Sequence, residues 1–175
     1  MKTKIKFGIF GIIILILIFI IIVTYPPLPK EIMPPPAILT IVGVEQISGI
    51  GSFCWRETWN DQTLKILCVD YDGIPTAQEP LPAISPFTIH LSLLPEEPPE
   101  ELQLNIYQVT DKDEIELNSE VWRWWKYQEG KHVTLLLESE QDVNLSLEPG
   151  LYVLNVYPRW KEKGSVSYGF LLNVQ

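Results

Sequence analysis

The chain has 175 residues, of which 46% are hydrophobic, with 22 acidic side chains against 13 basic ones and a net charge of −9. That balance argues against a nucleic-acid partner and against docking on anionic lipid, because both need clustered Lys and Arg. The length leaves room for one ordinary domain beyond any targeting segment.

The strongest signal is N-terminal. Phe7 to Val23 is an unbroken apolar run, rich in isoleucine and free of charge. As a helix rising about 1.5 Å per residue it spans roughly 26 Å, near the lower limit for crossing a bilayer. Lys2, Lys4 and Lys6 precede the run, and no basic residue follows until Lys30. The asymmetry predicts a cytoplasmic N-terminus and an extracytoplasmic remainder. A cleaved signal peptide has a shorter apolar stretch and small residues at its cleavage site. Here the exit reads "IIIVTYPPLP", without an Ala-x-Ala-like pair or a cysteine to accept a lipid. Residues 1–25 therefore read as a signal-anchor transmembrane helix, single-pass in the cell membrane, with cleavage as the competing reading. All 22 acidic residues and 10 of the 13 basic ones follow this run, so the exterior part carries −12.

Residues 26–36, "PPLPKEIMPPP", hold six prolines. Proline lacks a backbone N–H and fixes φ, which excludes a helix or a central strand. Polyproline II at about 3.1 Å per residue makes a stiff stalk of roughly 30 Å.

From residue 37 to 175 the apolar period is two. "FTIHLSL" puts Phe87, Ile89, Leu91 and Leu93 on one face and Thr88, His90 and Ser92 on the other. "SVSYGFLLNV" aligns Val166, Tyr168, Phe170, Leu172 and Val174, and "LQLNIYQV", "HVTLLLE" and "LYVLNVY" follow the same rule. Between the runs stand turn signals: "GIGS", "NDQ", "YDGIP", "LLPEEPPEE", "YQEGK", "LEPG" and "KEKGS". About eight or nine short strands at this spacing predict an all-β domain, an immunoglobulin-like antiparallel β-sandwich.

Both cysteines lie in "GSFCWRETWNDQTLKILCVDYDG", residues 51–73. With Asn60, Asp61 and Gln62 as a hairpin loop, Cys54 faces Cys68, Glu57 faces Lys65, Trp55 faces Leu67 and Phe53 faces Val69. One register yields an opposite-charge pair, two apolar pairs and the cysteines abreast. Cross-strand Cβ atoms stand about 4.5–5.5 Å apart, within adjustment range of a disulfide. A redox pair would read Cys-x-x-Cys, and a zinc site needs more cysteines or nearby histidines. Cys54–Cys68 is therefore expected to be a structural disulfide.

"GSFCW", "CVDY", "PGLYVLNVYPRW" and the closing "YGFLLNV" together resemble a group of bacterial and archaeal envelope proteins without assigned activity. Its members carry an N-terminal anchor or lipid attachment, a Gly-Ser/Thr-aromatic-Cys-Trp segment with a second cysteine, and a C-terminal Pro-Gly-x-Tyr strand pair. The C-terminal third is also similar to the immunoglobulin-like sandwich of the BsuPI-type proteinase inhibitors. The resemblance covers most of residues 40–175 and implies a fold and a location, not an activity. Within "PGLY", Pro149-Gly150 turns the chain, and the Tyr152 hydroxyl is placed to bond the preceding loop as in a tyrosine corner.

Signals for chemistry are sparse. His90 and His132 have no Cys, Asp or Glu at metal-ligand or triad spacing, and no Gly-x-Ser-x-Gly, Walker or His-Glu-x-x-His motif occurs. "DYDG" (Asp70, Asp72, Gly73) begins like a calcium loop, but Ile74 and Leu81 stand where ligands belong, so it reads as an acidic turn. Asn144-Leu145-Ser146 is a glycosylation sequon. No cofactor or metal is expected, and no catalytic residue can be assigned.

The unusual stretch is "VWRWWKY", residues 121–127. As a strand it directs Val121, Arg123, Trp125 and Tyr127 one way and Trp122, Trp124 and Lys126 the other. A half-exposed sheet cannot bury aromatics on both faces. Trp122, Arg123, Trp124, Trp125 and Lys126 are therefore the candidate binding surface, suited to a sugar ring or a partner's apolar anchor. The structural alternative buries one face in the core and the other under the Pro-rich segment 74–86. The expected function is a membrane-tethered, non-catalytic binding or structural module of the cell envelope, with an envelope protein or glycan as partner. The alternative is a glycan or ligand binder, or a protease-inhibitor-like domain, acting through strand 121–127 or a loop.

Overall fold

The computed structural model describes residues 32–59, 63–77, 79–110, 114–115, 122–126 and 130–175, which form fourteen strands and no helix. In chain order these are β1 (Ile38–Ile41), β2 (Val44–Ile47), β3 (Gly49–Trp59), β4 (Thr63–Val69), β5 (Ile74–Ala77), β6 (Leu81–Ala83) and β7 (Phe87–Ser92). Then follow β8 (Glu101–Gln108), β9 (Glu114–Ile115), β10 (Trp122–Trp125), β11 (Lys131–Thr134), β12 (Glu140–Leu145), β13 (Gly150–Trp160) and β14 (Gly164–Val174). No helix among the described residues is long and apolar enough to cross a membrane; the run Phe7–Val23 and the loop Asn60–Gln62 lie outside them.

Three sheets stack as layers. The front sheet runs β12-β7-β1-β2, the central sheet β11-β8-β13-β14-β3-β4, and a small back sheet β5-β10-β9. Neighbours pair antiparallel except β6, which runs parallel to the end of β14. Sheet faces follow from the period of two. In β7 the burial alternates strictly, with Phe87, Ile89 and Leu91 inward and Thr88 and His90 outward. Val166, Tyr168, Phe170, Leu172 and Val174 line the same main core from β14, as their spacing predicts.

The intervening positions behave differently. Val153 and Leu171, on the opposite face of the central sheet, are buried against Ile74 and Trp125 of the back sheet. A sheet covered on both faces has no polar side to show, which is why β13 and β14 read as nearly continuous buried runs. The third layer is not part of the two-sheet expectation.

The third layer also corrects the reading of "GIGS" as a turn. Gly49 and Gly51 lie inside β3, where Gly49 pairs with Gly169 of β14. A Cβ at either Gly49 or Gly169 would strike the Pro75 carbonyl oxygen of β5. Glycine there lets one backbone lie directly on another. The turn itself is Val42-Gly43, between β1 and β2. Fourteen strands rather than eight or nine follow from such short elements, since β2, β5, β6 and β9 have four residues or fewer.

The β3–β4 hairpin adopts the expected register, with Phe53, Cys54, Trp55 and Glu57 opposite Val69, Cys68, Leu67 and Lys65. Cys54 and Cys68 form a disulfide of 2.01 Å, both residues exposed. Tyr152 makes the expected corner, its hydroxyl donating to the Glu148 carbonyl at 2.9 Å. Part of the Pro-rich segment packs on the sandwich. Pro34 is buried, Ile32 packs on the main core, and the Pro35 carbonyl accepts from Tyr168 Oη at 2.6 Å.

Candidate functional site

The aromatic strand β10 belongs to the back sheet, between β5 and β9. Its inward member is Trp125, 2% exposed, which fills the second core and donates Nε1–H to Thr76 Oγ1 at 2.8 Å. Trp122, Arg123 and Trp124 are half-buried, and Lys126 is exposed, paired with Asp72. Trp124 leans on Tyr71, with ring centroids 4.6 Å apart at 49°. The expected alternation thus holds for Trp122 and Trp124 against Trp125. Residues 74–77 do not cover the strand, however; they pair with it edge to edge, Trp122 opposite Ala77 and Trp125 opposite Ile74. Val121 and Tyr127 lie outside the described residues.

Trp122 is one wall of a shallow cleft of about 510 Å³ that runs beside β2, with Ile47, Ala77, Pro80 and Pro82. A second cleft of about 1020 Å³ continues from Val44 and Pro82 to the end of the sandwich, past Val42, Ile84 and Pro86. Val44 and Pro82 line both, so the two clefts adjoin as a groove along the outer edge of the front sheet. Its charged described residues are Glu45 and Glu79, both exposed. Exposed apolar side chains gather along it: Val42 at 95%, Ile84 at 75%, Ile47 at 57% and Val44 at 52%. Sequence reading missed this groove, because its walls come from separate stretches of chain.

The histidines sit elsewhere. His90 Nδ1 is 2.8 Å from Asp142 Oδ1 across β7 and β12, a neighbour that sequence spacing could not show. The pair belongs to a polar row with Thr88–Asn144 at 2.7 Å and Ser92–Glu140 at 3.5 Å on the open face of the front sheet. Such cross-strand pairs stabilise a solvated face. His132 Nδ1 lies 3.1 Å from Asn105 Oδ1. Asn144 of the sequon is exposed on β12. Among the described residues no three His, Cys, Asp or Glu side chains gather as a metal site would require.

Two tyrosines have displaced acidities, and both are structural. Burial pushes the Tyr168 hydroxyl up. Burial, then the Glu148 carboxylate, raises the pKa of Tyr152. Compared with known protein families and with curated proteins, the chain matches none.

Proposed function

We propose that this chain is a membrane-tethered, extracytoplasmic β-sandwich of immunoglobulin-like type, serving the cell envelope as a non-catalytic binding or structural module. The observation that carries the reading is the Cys54–Cys68 bond on an exposed hairpin. A solvent-facing disulfide persists in an oxidising compartment and is reduced in the cytosol. The order of Lys2, Lys4 and Lys6 before the Phe7–Val23 run supports the same side of the membrane. The tyrosine corner at Tyr152 supports the immunoglobulin-like relation. Binding is the favoured role because apolar clefts rimmed by few polar groups are where ligands and partners sit.

Topology is the test. Protease added to intact source cells should remove the domain while a cytoplasmic marker survives; a domain protected until the membrane is broken would overturn the assignment.

A second reading, glycan binding, draws on the Trp124–Tyr71 pair, which forms an aromatic ledge beside Lys126 and Asp72. Binding of the purified domain to envelope polysaccharide, lost in Trp122→Ala/Trp124→Ala, would support it. Equal retention by wild type and double variant would remove it.

A further inference from the structure

Val42 stands out in backbone and side chain together. It occupies the first position of a two-residue turn with φ 49°, followed by Gly43 at φ 79°. Positive φ at both positions defines a type I′ hairpin turn, where Asn, Asp or Gly is the ordinary occupant. A β-branched residue in that region is a steric outlier. This one also leaves 95% of its surface in water, so no described residue covers its apolar side chain. A strained, solvated valine is where a partner's apolar side chain would find a ready contact.

Among the described residues, the strand that Val42 introduces has one paired side: β2 ends the front sheet, with β1 as its described partner there. Ile41 and Val44 flank the two-residue turn, so they form the hydrogen-bonded pair, and Gln46 faces β1 likewise. The Ser48 N–H to Ala37 carbonyl bond of 2.9 Å confirms the parity. The main-chain groups of Glu45 and Ile47 therefore point away from β1, toward the apolar groove. A ligand there meets a row of peptide donors and acceptors beside apolar walls. That combination selects another extended peptide over a lipid or a sugar. The charged side chains on the described walls, Glu45 and Glu79, are both acidic.

We propose that the groove is a strand-addition site: an extended peptide with alternating apolar residues and at least one Lys or Arg pairs with β2 and packs on Val42, Ile84 and Trp122. This inference rests on the binding-module reading and names its ligand class.

The probe is a peptide array of alternating Val and Thr carrying lysine at each position in turn, with N-methylated counterparts that keep the side chains but remove alternate backbone donors. Lysine-bearing members should bind the purified domain, N-methylation should weaken binding at least tenfold, and hydrogen exchange at the Glu45 and Ile47 amides should slow in the complex. Val42→Asn supplies the control against misfolding. Asn suits the turn, so the variant should melt higher than wild type yet bind at least fivefold more weakly. The proposal is overturned if no member binds, if methylated and unmethylated peptides bind equally, or if Val42→Asn binds like wild type. An extracytoplasmic domain that binds no member loses the strand-addition site alone; a cytoplasmic domain that binds them loses the tethered reading alone.

Discussion

The side chain of Gln46 completes the hydrogen bonding of Leu171. β3 pairs with β14 as far as Gly169, and β6 begins its pairing at Leu172. In the gap between them Gln46 reaches across from the front sheet. Its Oε1 accepts the Leu171 N–H at 2.8 Å, and its Nε2 donates to the Leu171 carbonyl at 3.2 Å and to that of Glu79 at 2.9 Å. The amide does what a strand residue would do, and it ties two layers together. Leu171 is 1% exposed, so water cannot replace these bonds.

Gln46→Leu should therefore cost more than an ordinary surface change, because it leaves a buried N–H and C=O without partners. A buried orphan group costs about 1–3 kcal/mol, so the variant should lose roughly 2–4 kcal/mol in urea denaturation. Gln46→Glu keeps the acceptor for the Leu171 amide but turns a carboxylate oxygen toward the Leu171 and Glu79 carbonyls in a buried site, and should cost at least as much as Gln46→Leu at neutral pH. A Gln46→Leu protein as stable as wild type would show that the gap is satisfied otherwise.

The disulfide gives a second expectation. Cys54 and Cys68 close a short hairpin loop, and the chain-entropy estimate for such a loop is about 3 kcal/mol. Cys54→Ser/Cys68→Ser should unfold at lower urea by that order while keeping the sandwich, since both cysteines lie outside the core. Intact mass of the native protein should be lighter by two hydrogens than the reduced form. Two thiols that alkylate without reductant would contradict the bond.

What the residues reveal in advance depends on how local the cause is. The hairpin register was legible because one alignment satisfies Cys54–Cys68, Glu57–Lys65 and Phe53–Val69 together. The core faces of β7 and β14 were legible because each strand carries its own period of two. The third layer was not legible, because Gly49 reads equally as a turn or as a strand floor. What decides is Pro75 lying on it, a contact no local pattern encodes. Val42-Gly43 hid for the opposite reason: valine signals strand, so a turn built on it contradicts local propensity. In the candidate site, Trp122 was named from the alternation of its aromatic strand, whereas Val42, Pro82 and Ile84 join the adjoining clefts only through the topology of β2 and β6.

The glycine floor makes its own prediction. Gly169→Ala places a methyl against the Pro75 carbonyl, and backbone cannot yield as a flexible side chain does. Overpacking of this kind costs typically 1–3 kcal/mol, and here it should also lift β5 away from the central sheet. Tryptophan fluorescence reports that step, because Trp125 is buried against the same sheet. Gly43→Ala meets no neighbouring atom and carries only the positive-φ penalty, so it should leave Trp125 undisturbed. Identical emission from Gly169→Ala and wild type would mean that the layer tolerates the methyl.

Tyr168 predicts how the domain responds to alkali. Its ring is fully buried and its hydroxyl donates to the Pro35 carbonyl, so ionisation in place would put a charge where water cannot reach. Burial raises its pKa in the folded state above the ordinary value of 10.0. The unfolded chain releases this proton near pH 10 while the folded chain keeps it. The folded state then holds more protons than the unfolded one, and stability falls as pH rises. This contribution is whole below about pH 10 and declines above it by at most about 1.4 kcal/mol per pH unit. Tyr168→Phe loses the bond to Pro35, which costs about 1 kcal/mol at neutral pH, but removes the titrating group. Urea midpoints measured from pH 8 to pH 11 should fall more steeply for wild type than for the variant, the two curves converging at the alkaline end. Parallel curves would mean that another group governs the alkaline loss.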